Sequence, residues 1–352
     1  MASIPGVFGG IFSNYGILNT VPGPARRSRQ PSPFALLRDD TFDAMSTAPR
    51  PPTSDDPPAL RDLDPLASAP AAGSSTSPTE GKLQALRTLV REMGSVLVCY
   101  SGGIDSALVL AVAHEQLADN ALGMTAVSPS LAPSEREGAE RIARSLGARH
   151  EFIASHEIER PGYVANGPDR CFHCKSELYD IARRKLDQLG FAAILNGTNL
   201  DDLGDYRPGL TAARDAGVRS PLVELGFDKA AVRAAAQQLG LPIWNKPASA
   251  CLSSRIPYGT AVTRERLAQI AGFEHDVHAL GFSQARVRWH GKIARLELAL
   301  AELPGALEPA VRAQLVAAGK RHGFNYVTLD LEGYRVGSHN EVLPGHSLRI
   351  IQ

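Results

Sequence analysis

The chain has 352 residues, with 37 basic and 37 acidic side chains, 43% hydrophobic and 21% charged residues. That length suits two domains, or one domain with an appendage, and the composition is that of a soluble globular protein. Balanced charge argues against a nucleic-acid partner, and the lack of an 18-residue apolar run argues against a membrane span.

Residues 1–79 hold 13 of the 25 prolines and show no sustained periodicity. Such a stretch buries too little apolar surface to offset its ordering entropy, so a disordered extension is expected. It has no charged start before an apolar core, so no secretory signal is expected and the compartment is cytoplasmic. Helical spacing begins at Leu83, Leu86, Leu89 and Val90. "SVLVCY" at 95–100 reads as a buried parallel strand. A helix over 107–117 and a strand "ALGMTAV" from Ala121 follow. A helix capped by Ser134 runs to Leu146, where Gly147 stops it. "HEFIAS", a loop with Cys171 and Cys174 that leads into a helix to Leu189, and the strand "AAILNG" complete an alternating pattern. That pattern predicts an α/β fold with a parallel sheet over 80–259. A helix over 228–239 leads to a Gly- and Pro-punctuated loop at 245–260. Beyond it, a helix over 263–271, the strands "ARVRWH" and "IARLEL", a helix over 307–321 and "FNYVTLD" predict a smaller α+β domain over 260–352.

The strongest local signal is Ser101-Gly102-Gly103-Ile104-Asp105-Ser106, between a buried strand and a helix. Two glycines let backbone N–H groups turn around phosphate oxygens, the serines add hydroxyl donors, and the helix start favours an anion. Asp105 would repel phosphate by itself; it makes sense as a ligand of Mg²⁺ held against pyrophosphate. The string fits neither a Walker loop nor GxGxxG. It resembles the pyrophosphate loop of the adenine nucleotide alpha hydrolase-like enzymes, among them GMP synthetase, asparagine synthetase and tRNA thiolation enzymes. By that resemblance Ser101, Gly102, Gly103, Asp105 and Ser106 hold the pyrophosphate of ATP and its metal.

Four cysteines are too few for a disulfide scaffold. Cys99 reads as a small buried side chain. Cys171 and Cys174 form a CxxC, and Cys251 lies 77 residues later. The spacing leaves three readings open: two unrelated sites, a zinc site short of a ligand, or an iron–sulfur cluster with one iron lacking a protein ligand. "CYSGGIDS", "RCFHCK", "GTNLDDLGDYRPG", "KPASACLSSRIPYG", "ARVRWHGKIARLE" and "FNYVTLDLEGYRVGS" together resemble the LarE family. The likeness covers about residues 80–350; one departure is His339, where it implies methionine. It implies an ATP-dependent sulfur transferase that adenylates a carboxylate of a pyridinium biscarboxylate mononucleotide, on the route to a nickel-pincer nucleotide, and makes a thiocarboxylate. It implies either a [4Fe–4S] cluster on Cys171, Cys174 and Cys251, or sacrifice of the Cys251 sulfur leaving dehydroalanine. The three-cysteine count favours the cluster. The resemblance also implies a homo-oligomer.

Asp201, Asp202 and Asp205 follow a strand end, where open α/β sheets bind ligands, and are candidates for holding a metal or positioning the sulfur site. Glu224 is a further metal candidate. Arg207 and Arg255 are candidates for substrate phosphate or the adenylate. Arg286 and Arg288 lie two apart on one strand face, a suitable phosphate site for a mononucleotide. The rivals are a tRNA thiolation enzyme, which needs a basic RNA surface, an amide-forming synthetase, which has no use for three cysteines, and a nucleotide-binding module without turnover.

Overall fold

A computed structural model describes residues 77–204, 208–247, 249–335 and 337–343. Nearly all of the 1–79 extension lies outside them, as do Asp205 and Arg207. Four parallel strands run β1 (Val96–Cys99), β2 (Ala121–Val127), β3 (His150–Ala154) and β4 (Ala193–Leu195) in chain order, and lie β3-β2-β1-β4 across the sheet. The chain passes from one edge of the sheet to the other between β3 and β4. The strand order therefore reverses at β1 and β4, and their C-terminal ends flank a crevice where open sheets bind ligands.

The apolar run of β1 is buried on both faces. Val96 and Val98 join a core built with α1 (Pro78–Met93), α2 (Ile104–Leu117) and α3 (Pro133–Ser145). Leu97 and Cys99 face the opposite core, which holds Tyr179, Ile181 and Ala182. Those three belong to α5 (Arg170–Leu189), which follows a single turn, α4 (Pro161–Val164). Next come α6 (Pro208–Asp215), α7 (Pro221–Glu224) and α8 (Lys229–Gln238). The α3 helix starts one residue before the expected cap: Ala132 is its N-cap, with no side-chain bond, and Pro133 fixes the first helical φ.

A second sheet holds β5 (Ala285–His290), β6 (Ile293–Leu298) and β7 (Tyr326–Leu329). β5 and β6 form an antiparallel hairpin turning at Gly291, and β7 joins β6 in parallel. α9 (Arg264–Ala279) and α11 (Pro309–Arg321) pack on this sheet, with the short α10 (Leu303–Leu307) before α11. The α9 helix runs eight residues past the predicted stop. Gly272 does not end it; a Cβ there would sit 2.4 Å from the His322 ring, so the glycine serves close packing instead. Tyr163, Leu252 and Ile256 are buried in this second core although they precede residue 260. No helix among the described residues is long and apolar enough to cross a membrane.

Ser77 caps α1, its hydroxyl accepting from the Glu80 N–H at 3.2 Å, and Leu83, Leu86 and Val90 of α1 are fully buried. A chain starting at Ser77 should therefore keep its melting temperature within about 2 °C of the full chain, since it retains the Ser77 cap and the buried residues of α1. A larger drop in thermal unfolding would show that the extension contributes to the fold.

Candidate active site

The loop after β1 is closed by its own serines. Ser106 Oγ accepts from the Ser101 N–H at 3.2 Å, lies 3.1 Å from Ser101 Oγ and donates to the Gly103 carbonyl at 3.1 Å. Gly102 has φ +77°, and a Cβ there would meet Ala139 Cβ at 2.9 Å. The α2 helix begins at Ile104 with no side-chain cap, leaving its first N–H groups for an anion. The strand end after β4 presses against this turn: a Cβ on Gly197 would lie 2.5 Å from the Ser106 nitrogen.

Asp105 points into the crevice. Its carboxylate accepts from Lys229 Nζ at 2.6 and 2.8 Å and from Asn199 Nδ2 at 3.1 Å. Asp201 accepts from the Lys229 backbone N–H at 2.6 Å, and Asp202 accepts from the Asn199 N–H at 3.1 Å. Lys246 reaches the same loop, 2.6 Å from Glu135 and 3.4 Å from the Gly102 carbonyl. Glu224 instead forms a half-exposed ion pair with Arg219 at 2.5 Å. Two lysines thus flank the phosphate loop, each on a carboxylate partner.

Cys171 and Cys174, expected on a loop leading into the helix, are both taken in by α5, and the start of that helix is tied to the loop carrying Cys251. Arg170 Nη1 donates to the Ser253 carbonyl at 2.9 Å, and the Tyr163 and Ser253 hydroxyls lie 2.5 Å apart. Asn166 Nδ2 donates to the carbonyls of Ile256, Pro257 and Thr260. Burial pushes the Cys174 thiol up to about 12, and the charges of Cys251, Glu157 and Cys171 act in the same direction against Lys175. Burial opposes the Arg170 charge, but Cys251 and then Cys171 outweigh it and hold its pKa above the usual guanidinium value. The three cysteines thus share one electrostatic neighbourhood. His173, between the two thiols of the motif, pairs with Asp169 at 3.2 Å and lies against Gly162. Among the described residues no three His, Cys, Asp or Glu side chains form a metal-holding group.

Behind Cys251 lies a cluster of guanidiniums. Arg255 is buried, paired with Glu274 through Nε at 2.9 Å, and its Nη1 donates to the Ala250 and Cys251 carbonyls at 2.7 and 3.0 Å. It shapes the cysteine turn. Arg288 is buried on Glu297 at 2.7 and 2.9 Å and reaches the Ser254 carbonyl and Ser338 Oγ, both at 2.8 Å. Arg286 lies over the Tyr334 ring and has no carboxylate partner among the described residues. Burial, with Arg255 and Arg288 nearby, lowers its pKa against the pull of Glu274. Of the two arginines on β5, Arg286 is the one available to an anion.

The asparagine synthase family matches residues 83–160, which include the whole phosphate loop. The pyridinium-3,5-bisthiocarboxylic acid mononucleotide synthase of Lactiplantibacillus plantarum is 40% identical over 265 residues, covering 74% of this chain and 95% of that protein. The chain belongs to the LarE family. An uncharacterized protein of Synechocystis sp. is 46% identical over 75% of this chain and 98% of its own length. Another, from Methanocaldococcus jannaschii, is 26% identical over 68% and 90%. As a member of the LarE family the protein is an enzyme, and its α/β domain is of the ATP-using pyrophosphate-loop type.

Sequence reasoning missed Lys229, Lys246, Arg170, Tyr163 and Ser253. Arg170 and Lys246 stand in strings that carry the resemblance, beside Cys171 and ahead of Cys251, and those strings were the available signal. Lys229 had none, because its partner is 124 positions away.

The thiols should separate by reactivity. Cys171 and Cys251 are exposed, whereas Cys99 is buried with its thiol pushed up to about 12, like Cys174. At pH 8 such a pKa leaves about one thiol in ten thousand ionised. Iodoacetamide treatment of the native protein at pH 8, read by peptide mass mapping, should label Cys171 and Cys251 well before Cys99 and Cys174. Equal labelling of all four would contradict this arrangement.

Proposed function

We propose that the protein is a cytoplasmic ATP-dependent sulfur transferase acting on pyridinium-3,5-biscarboxylic acid mononucleotide. It adenylates the substrate carboxylates and converts them to thiocarboxylates. The observation that supports this reading is the electrostatic neighbourhood that Cys171, Cys174 and Cys251 share beside buried arginines, in a chain similar to a named bisthiocarboxylate synthase over 95% of that protein. A carboxylate resists attack because oxide is a poor leaving group. Its oxygen attacks the α-phosphorus of ATP, the bond to the β-phosphate oxygen breaks, and pyrophosphate departs. A sulfur nucleophile then attacks the acyl carbon and AMP leaves with the former carboxylate oxygen.

Ser101, Gly102, Gly103 and Ser106 hold the pyrophosphate, and their donors meet the charge that develops on it. Asp105 would hold Mg²⁺ there, and Lys229, relieved of its carboxylate, serves the phosphate oxygens. Asp201 positions Lys229 through its backbone. Arg286, beside the Glu297-bound Arg288, receives the phosphate of the mononucleotide. In the 80–259 and 260–352 division, the phosphate loop belongs to the first part and Arg286 to the second.

Cys171, Cys174 and Cys251 would hold a [4Fe–4S] cluster, which when bound supplies sulfide at an iron without a protein ligand. Three soft thiols suit iron. They do not form a metal-holding group among the described residues, so holding the cluster would require the Cys251 turn to move closer to α5. The exposure of Cys251 favours a second reading, in which its own sulfur is transferred and its Cβ–S bond breaks. The family likeness also supports a homo-oligomer, and reduced thiols suit the cytoplasm. Balanced charge counts against a tRNA substrate.

Two measurements test the reading. Asp105→Ala should lower substrate-dependent pyrophosphate release by at least roughly tenfold, equivalent to about 1.4 kcal/mol; unchanged release would remove Asp105 from the machinery. Protein reconstituted with iron and sulfide should turn over repeatedly, with Cys251 intact by mass spectrometry. A loss of about 34 Da at Cys251, the mass of H₂S, would replace the cluster with the sacrificial route.

A further inference from the structure

His339 lies on a one-turn segment, Ser338–Asn340, that follows Gly337 in a left-handed conformation. Its ring lies against Tyr258, with centroids 4.2 Å apart, and the Tyr258 hydroxyl donates to Asn340 Oδ1 at 3.0 Å. Ser338 is held by Arg288. The turn is thereby fastened to the same arginines that surround the Cys251 loop. Two features there lack counterparts. His339 Nε2 is buried with no hydrogen-bond partner among the described residues, a condition that costs stability. Carboxylates are also outnumbered: among the described residues Arg255 pairs with Glu274 and Arg288 with Glu297, whereas Arg170 and Arg286 have no carboxylate partner, Arg170 lying instead near Cys251 and Cys171.

One anion cures both defects. It accepts a hydrogen bond from the imidazole and neutralises the surplus guanidinium charge. Burial, then Arg170, Arg288 and Arg255, push the imidazole down to about 3, so it is neutral and offers a single N–H. A neutral donor beside fixed cations suits an anionic oxygen and adds no further repulsion to the site.

We propose that His339 is a substrate-recognition residue, donating its Nε2–H to an anionic oxygen of the pyridinium mononucleotide, carboxylate or phosphate. This rests on the functional reading above. His339 as a whole is only half-buried, so the residue borders solvent although its Nε2 does not.

The test is calorimetric binding of the mononucleotide, and separately of ATP, to the full-length protein and to His339→Leu and His339→Gln. A hydrogen bond to a charged group predicts that His339→Leu weakens mononucleotide binding by about tenfold or more. His339→Gln keeps an N–H donor and should recover to within about threefold of the parent by the same arithmetic. ATP binding should be unchanged in both. Repeating the titration with the phosphate-free nucleoside assigns the oxygen. If His339→Leu still weakens binding, the partner is a carboxylate; if the difference vanishes, it is the phosphate. Unaltered mononucleotide binding in His339→Leu overturns the proposal. So do equal losses in both variants or weakened ATP binding, either of which marks a structural role. Parent protein that binds the mononucleotide yet releases no pyrophosphate with ATP defeats the functional reading and leaves this one standing.

Discussion

A guanidinium can be buried only where acceptors meet its N–H groups, and in this protein those acceptors are largely the backbone of the Cys251 turn. Arg255 binds the Ala250 and Cys251 carbonyls, Arg170 binds Ser253, and Arg288 binds Ser254. Three charges from three different segments thus organise one short stretch of irregular chain. Glu274 and Glu297 neutralise two of them, and Glu274 also accepts from the Val287 N–H at 2.9 Å, locking α9 to β5. The position of Cys251 is therefore a result of electrostatic necessity around it, since each of these buried charges depends on the acceptors that the turn supplies.

The sheet imposes the other constraint. Its strand order sends the phosphate loop and the β4 loop out of neighbouring strand ends, and Gly197 lets their backbones touch. That contact fixes Asn199 and Asp201 relative to Asp105 and Lys229. The crevice thus gathers groups from both strand ends, one set from residues 101–106 and the other from 199–229.

Much of this was legible in the sequence, for identifiable reasons. β1 and its loop were clear because a doubly buried strand must be continuously apolar and because a Gly-rich turn before a helix has few other uses. The limits of helices were less clear. The helix expected to end at residue 271 continues through Gly272, a packing site for His322, and Pro133 starts the helix for which Ser134 is the expected cap. The arginines were visible as residues, but not their division of labour. Which guanidinium is bound to a carboxylate and which is open depends on Glu274 and Glu297, placed by tertiary packing. The same holds for Lys229 and Asp105, whose pairing leaves no local pattern.

The second core has a consequence for how such proteins change over time. Tyr163, from the turn ahead of the CxxC helix, is buried in the same core as Ile270 and Phe273 of α9 and Val287 of β5. A segment beginning at residue 260 would leave behind that tyrosine along with Leu252 and Ile256. The two halves are consequently poor cassettes for exchange between genes: a graft at the apparent linker would carry an unfilled interior, and recombination is tolerated only where the whole interlocked pair moves as one inheritance.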